Sequence, residues 1–352
     1  MLKAYIPNDI KIKINKRSLF LLVRPFYSDG KWVMDERIMK SWNLNIAKIK
    51  LVDDVMIADF ILLPYSINYY FNNKLLTYLE KYNQICISNN IKAYGFISGD
   101  INKSYPEYDN IFYFRMGGFK SQLSNKNLGF PAALSDYHKI LYKTKNIKLR
   151  KKNNNPIVGF CGYANSSQIK RFKECSLQFI DNIFRYVINP NRTDYETLFP
   201  SGYVRYNLLK IIEKSDGISP NIIYRKRYRA GSYSKREREK STLEYYNNIR
   251  ESDYILCIRG GGNYSRRLYE TLLMGRIPIL INTDCILPLE EHINWQDHVI
   301  FIDWEERLNI VDKIKEFHNS LTNEDFQNLQ LKNRKLWIEK LQTNYILEKC
   351  LI

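Results

Sequence analysis

Short apolar runs alternate with stretches of helical period along this 352-residue chain, and the alternation occurs twice. Nothing else in the sequence limits the fold so narrowly, because strands buried on both faces and joined by helices build a parallel sheet. In the first round, SLFLLVR (18–24), ADFILLP (58–64), KAYGFIS (92–98) and IFYF (111–114) read as strands. Helices are expected over 36–50, where Ile38, Met39, Trp42, Ile46 and Ile49 recur at helical spacing, and again through Leu75, Leu76, Leu79 and Tyr82. The second round offers strands at 157–163, 221–228, 254–260, 277–282 and 298–303, with helices at 166–188, 237–252 and 264–275 and a helical tail from 304. In 166–188, the side carrying Phe172, Phe179, Ile180, Ile183 and Phe184 is expected to face a core.

Between the rounds the pattern lapses into KTKNIKLRKKNNNP, which is polar, basic and closed by a proline. That is the composition of a linker. A boundary near residue 152 gives an α/β chain of two Rossmann-like, doubly wound domains, 1–152 and 153–352, facing a cleft.

Charge narrows the partner. Fifty-four Lys and Arg against 37 Asp and Glu leave a net charge of +17. This excludes an acidic, freely solvated chain and points to nucleic acid, a phosphorylated small molecule or a membrane surface. Richness in Lys, Asn, Ile and Tyr supplies a plainer source, solvated surface lysine unrelated to function. The six cysteines form no CxxC pair and only four histidines accompany them, so no metal site is expected and a reduced, intracellular setting is. No apolar run approaches the ~18–20 residues that span a bilayer. The early LFLLV (19–23) is stopped by Arg24 and Pro25, too short for a signal-peptide core.

The chemistry concentrates in YILCIRGGGNYSRRLYETLLMGRIPILIN (254–282). An apolar strand delivers Arg259 and then Gly260, Gly261 and Gly262, after which Asn263 or Ser265 can cap a helix. Glycines permit a tight turn with exposed N–H groups, and the helix N-terminus adds partial positive charge. Arg259, Arg266 and Arg267 contribute forked donors that fit phosphate oxygens. Glu270, one turn on, is placed to accept hydrogen bonds from ribose hydroxyls. The set reads as a diphosphate cradle, although its spacing is not GxGxxG.

Residues 245–304 resemble the C-terminal part of exostosin-type glycosyltransferases. The ordered matches are YNNIRESDYILCIRG, then Ser265, Arg267 and Glu270, then GRIPI, then LPLEEHINW. ADFILLPYS (58–66), NLGFPAALSDY (127–137) and PIVGFCG (156–162) are weaker echoes. The resemblance implies a GT-B architecture and an inverting transfer of sugar from a nucleotide-diphosphate donor, held by the C-terminal domain, to an acceptor held by the N-terminal one. It implies no bound metal or cofactor, and places Arg259, Ser265, Arg267 and Glu270 at the donor site; Arg266 occupies a variable position. A glycan or lipid-linked saccharide acceptor, in surface polysaccharide assembly at the inner face of an anionic membrane, completes that expectation.

Inverting transfer needs a base for the acceptor hydroxyl. Asp100, after the strand 92–98 and Gly99, is the first choice, and Asp29, Asp35, Glu36, Asp136 and His138 are the others. A second basic cluster, RKRYRAGSYSKREREK (225–240), sets Arg227 and Arg229 at a strand end, where they could hold donor phosphates or an acidic acceptor. Two other readings compete: a nucleic-acid binder using basic and aromatic surfaces, for which no module motif is present, and a sugar-nucleotide binder without catalysis.

Overall fold

The computed structural model describes residues 1–10, 18–28, 31–33, 35–41, 49–188, 190, 194–231 and 234–351. Two compact units emerge. The first comprises Met1–Ser135 with Ile286–Leu289 and Lys340–Ile352; the second comprises Asp136–Cys285 with Glu290–Glu339.

The first unit runs β1 (Leu2–Tyr5), α1 (Glu36–Ser41), β2 (Ile49–Val52), β3 (Phe60–Leu62), α2 (Ile67–Asn72), α3 (Leu76–Asn89), β4 (Lys92–Ile97), β5 (Ile111–Arg115) and β6 (Asn127–Gly129). All pairings are parallel, in the order β2-β1-β3-β4-β5-β6. Phe60, Ile61 and Leu62 are fully buried, as a strand covered on both faces requires. Two expectations fail here. The run 18–24 is buried but forms turns joined to the sheet by a single bridge, Leu19 to Tyr65, while the edge pair is made by 2–5 and 49–52. The helix expected over 36–50 ends, within the described residues, at Ser41, and Ile49 already belongs to β2.

The second unit runs α4 (Tyr137–Tyr142), β7 (Ile157–Tyr163), α5 (Gln168–Ile188), α6 (Ser201–Glu213), β8 (Ser219–Arg225), α7 (Lys235–Arg250), β9 (Tyr254–Cys257), α8 (Arg266–Leu273), β10 (Ile277–Asn282), β11 (Ile300–Asp303), α9 (Ile310–Ser320) and α10 (Asn323–Glu339). Its parallel sheet has the order β11-β10-β9-β7-β8. In chain order this is 2-1-3-4-5 read from the β8 edge, so connections leave in opposite directions on either side of the β7/β9 junction. A ligand crevice is expected at the carboxyl ends of those two strands. β9 is buried throughout, and Ile277, Ile279 and Ile281 of β10 join Val158 and Phe160 of β7 in one core. The last helix, α11 (Thr343–Lys349), belongs with the first unit.

The boundary expected at 152 lies instead between Ser135 and Asp136. Residues 143–152 are polar, as a linker is, yet they are fastened to the second unit. Gln330 exchanges hydrogen bonds with the Arg150 backbone, Nε2 donating to its carbonyl and Oε1 accepting from its N–H, both at 2.9 Å. Arg150 Nε donates to the buried Asp253 carboxylate at 2.5 Å, and Arg276 Nη2 donates to the Lys148 carbonyl at 2.9 Å. Hydropathy cannot register attachment made through polar groups.

α5 corrects a fourth expectation. Ile169, Phe172, Phe179, Ile180, Ile183 and Phe184 are all exposed rather than turned inward. The helix binds its unit by the opposite, polar side. Gln178 pairs with both backbone groups of Phe199, Asn182 does the same with Glu196, and Arg185 donates to the Asp194 carbonyl. Among the described residues no helix is long and apolar enough to cross a membrane.

Candidate functional site

Two arginines mark the β7/β9 junction. Arg267, in the first turn of α8, donates from Nη2 to the Cys161 carbonyl of β7 at 3.0 Å and from Nη1 to the Leu256 carbonyl of β9 at 3.4 Å. Its guanidinium lies over the Phe160 ring, 4.1 Å from the centroid. Arg205, on α6, donates to the Tyr163 carbonyl ending β7 at 3.4 Å and to the Arg259 carbonyl just past β9 at 2.8 Å. Among the described residues, the buried Nε of each arginine has no hydrogen-bond partner. Among the described residues no carboxylate lies at ion-pair distance from either. Burial, and after it the neighbouring Arg267 charge, lowers Arg205 to about 10. Glu174 and Glu270 act on Arg205 and Arg267 without a direct ion pair, so two partly desolvated cations keep capacity for an anionic ligand.

The glycine loop lies against this pair. A Cβ placed on Gly260 would stand 3.7 Å from Arg205 Nη2, and one on Gly261 would meet nothing within 4 Å. Gly260, Gly261 and Gly262 do not take a left-handed backbone, so no turn demands them; the open side of Gly261 is what a close approach to backbone requires. Asn263 is fully buried and fixes the loop rather than capping a helix: its Nδ2 donates to the Thr283 and Asp284 carbonyls at 2.9 and 3.0 Å, and Thr283 Oγ1 donates to its Oδ1. Ser265 occupies the N-cap position of α8 with its hydroxyl making no capping bond.

Glu270 is nearly buried and held from two sides. Arg266 Nε donates to Oε1 at 2.9 Å, and the Tyr245 hydroxyl, from α7, donates to Oε2 at 2.6 Å. Burial and the Glu270 charge push the Tyr245 phenol well above its ordinary range, so it remains a donor. Arg266 is half-exposed and keeps capacity for a further acceptor.

Arg259 departs from the expected phosphate contact. Its side chain is buried, ion-paired to buried Glu196 at 2.8 Å, bonded to Thr197 Oγ1 at 3.1 Å and seated over Phe199. Its guanidinium holds the 196–199 segment, while its backbone carbonyl receives Arg205. Arg227 is exposed just beyond β8, at the sheet edge one strand from the junction. The side chain of Arg229 lies outside the described residues.

Of the base candidates, Asp100 stands in the turn after β4, with Gly99 at φ +100°, and no described side chain holds its carboxylate. Its backbone seats against Gly117, where a Cβ would come within 2.0 Å of the Asp100 carbonyl. Asp136 and His138 fall in the second unit, contrary to their assignment to the acceptor half. Asp136 caps α4 and pairs with Arg334 at 2.6 Å; His138 is buried, with Nδ1 3.1 Å from the Thr144 carbonyl. Asp35 accepts from the Arg37 and Ile38 N–H groups, and Glu36 opens α1. Asp29 lies outside the described residues. The described residues contain no group of three or more His, Cys, Asp or Glu that could hold a metal.

Sequence reasoning missed Arg205, Tyr245 and Glu196. Arg205 sits mid-helix in SGYVRYNLLK, and only the register of β7 against β9 shows what it reaches.

Each unit is an α/β fold on a parallel sheet, and the second carries a basic, glycine-lined junction at its strand carboxyl ends, where such folds place ligands. Residues 141–316, half of the chain, match the Exostosin GT47 domain, and the chain belongs to that family. It is 36% identical over 59 residues to "Probable beta-1,4-xylosyltransferase IRX10L" of Arabidopsis thaliana, covering 17% of this chain and 14% of that protein. It is also 36% identical over 62 residues to "Probable glucuronosyltransferase Os02g0520750" of Oryza sativa subsp. japonica, covering 18% and 14%. The matched stretches thus span about one seventh of these relatives' length. Among solved structures, the S. aureus TarM G117R mutant aligns over 83% of this chain and 54% of its own at 13% identity and a TM-score of 0.34, too loose a likeness to bear on function.

Proposed function

We propose that the protein is an inverting glycosyltransferase of GT-B type that moves a sugar from a nucleotide diphosphate to a glycan or lipid-linked saccharide. One observation carries this reading: Arg205 and Arg267 straddle the β7/β9 junction beside an open glycine loop, inside the stretch that matches the family. The diphosphate takes the free donors of the two arginines and the loop N–H groups, which stabilise the charge that develops as the leaving group departs. Glu270, oriented by Tyr245 and Arg266, accepts from the ribose hydroxyls. The acceptor hydroxyl oxygen attacks the anomeric carbon, the bond from that carbon to the diphosphate breaks with its electron pair on the leaving oxygen, and the hydroxyl proton passes to the Asp100 carboxylate. The first unit is assigned to the acceptor and the second to the donor. No metal is assigned a role. The basic surface suits peripheral attachment at the cytoplasmic face of an anionic membrane, where a lipid-linked acceptor would lie.

A thermal-shift panel of nucleotide sugars and nucleoside diphosphates tests the reading. A selective rise in Tm identifies the donor; no response to any member would overturn it.

A further inference from the structure

α5 is amphipathic in the wrong sense for a helix that closes a core. Twenty-one residues give it a length of ~30 Å. Residues 169, 172, 176, 180, 183 and 187 fall on one face, with Phe179 and Phe184 along its borders. That face is turned to solvent: Ile169 is 82% exposed, Phe172 75% and Phe184 63%. The orientation is enforced, because rolling the helix would break the paired amide bonds of Gln178 and Asn182 and the bond from Arg185 to the Asp194 carbonyl. An outward apolar stripe of this size on a water-facing surface is costly unless something covers it.

Charge selects the cover. Lys170 and Lys173 are exposed beside the stripe. The helix's two carboxylates act elsewhere: Asp181 is paired with Arg185, and Glu174 acts on Arg205 and Tyr163 of the protein body. The outward face is therefore apolar with positive charge only. Two copies of a +17 chain would press lysine against lysine there, whereas an anionic bilayer satisfies both features at once.

We propose that the outward face of α5 is the surface by which the protein docks on an anionic lipid bilayer, the helix lying in the interfacial plane with Phe172, Phe179, Ile183 and Phe184 among the acyl chains. This rests on the peripheral-membrane part of the function proposed above and gives it a location.

The test sediments the full chain with phosphatidylcholine vesicles, with and without phosphatidylglycerol. The wild type is expected to partition onto the anionic vesicles, and F179D combined with F184D to lose roughly 30-fold or more in partitioning. F179L combined with F184L should partition as the wild type does. Circular dichroism and Tm must agree among the three proteins. If the aspartate variant binds anionic vesicles as well as wild type, this surface is wrong while charge-driven attachment survives. If wild type binds neither vesicle, the surface and the peripheral reading both fall. A dimer in sedimentation velocity that the aspartate variant abolishes, with vesicle binding unchanged, assigns the face to a second copy and overturns the proposal. Nucleotide thermal shifts on the same samples judge the transferase reading independently.

Discussion

Arg205 and Arg267 approach the same two strands from different helices, each laying one Nη on β7 and the other on β9 or its exit. Backbone carbonyls satisfy their inner donors but not their charge. Replacing Arg205 with Met keeps most of the stem packing and removes the fork. Nucleoside diphosphate binding should then weaken roughly 10- to 100-fold, the worth of one or two charge-assisted bonds. Titration calorimetry of UDP and GDP against wild type and R205M checks this, and unchanged affinity would remove Arg205 from the site.

Gly261 separates binding from stability. An added Cβ meets no atom in the free protein, so G261A should leave Tm within about 1–2 °C of wild type while weakening nucleotide binding several-fold through contact with the diphosphate. Gly275 behaves differently: it has φ +63°, and a Cβ there would stand 2.3 Å from Ile147. G275A should lower Tm markedly. Equal effects of the two substitutions on Tm would contradict the assignment.

The buried Arg259–Glu196 pair should announce itself in stability before binding. Removing one partner strands a buried charge, so E196A should cost about 3–5 kcal/mol. Urea unfolding measures this; a loss below about 1 kcal/mol would mean that the pair does not hold the 196–199 segment.

Asp100→Asn tests the base. Turnover should fall by roughly 100-fold or more, with nucleotide affinity and Tm unchanged. Turnover at the wild-type rate would return the role to another group.

His318 makes the second unit sensitive to acid. A carbonyl can only accept, so Nε2 donates to Asn153 O at 2.7 Å, and Nδ1 therefore accepts from the Tyr254 hydroxyl at 2.8 Å. Burial holds the ring's pKa below 6.5. The unfolded chain then takes up the proton first, so stability declines as pH falls through 6.5 and continues to decline until the folded ring also protonates. Urea midpoints at pH 7.5, 6.5 and 5.5 should drop more steeply for wild type than for H318Q; parallel slopes would exclude His318 as the cause.

Much of this was written in local pattern. The parallel strands of the second unit, the glycine loop and the helix bearing Arg266, Arg267 and Glu270 follow from runs of consecutive residues, because burial on both faces of a strand leaves an apolar run and three consecutive glycines interrupt it before the helical period begins. Three things were not local. Which arginines meet at the β7/β9 junction depended on strand register, which brought in Arg205 from the middle of α6 and turned Arg259 inward to Glu196. The division of the compact units at Ser135–Asp136 was hidden because residues 143–152 attach through side-chain amides and guanidinium groups. The sequence alone determined that 166–188 would hold an amphipathic helix, since periodicity is a property of the chain itself. Only the tertiary structure decided that its polar face would point inward, because Gln178, Asn182 and Arg185 found backbone partners in 194–199 that no hydropathy pattern records.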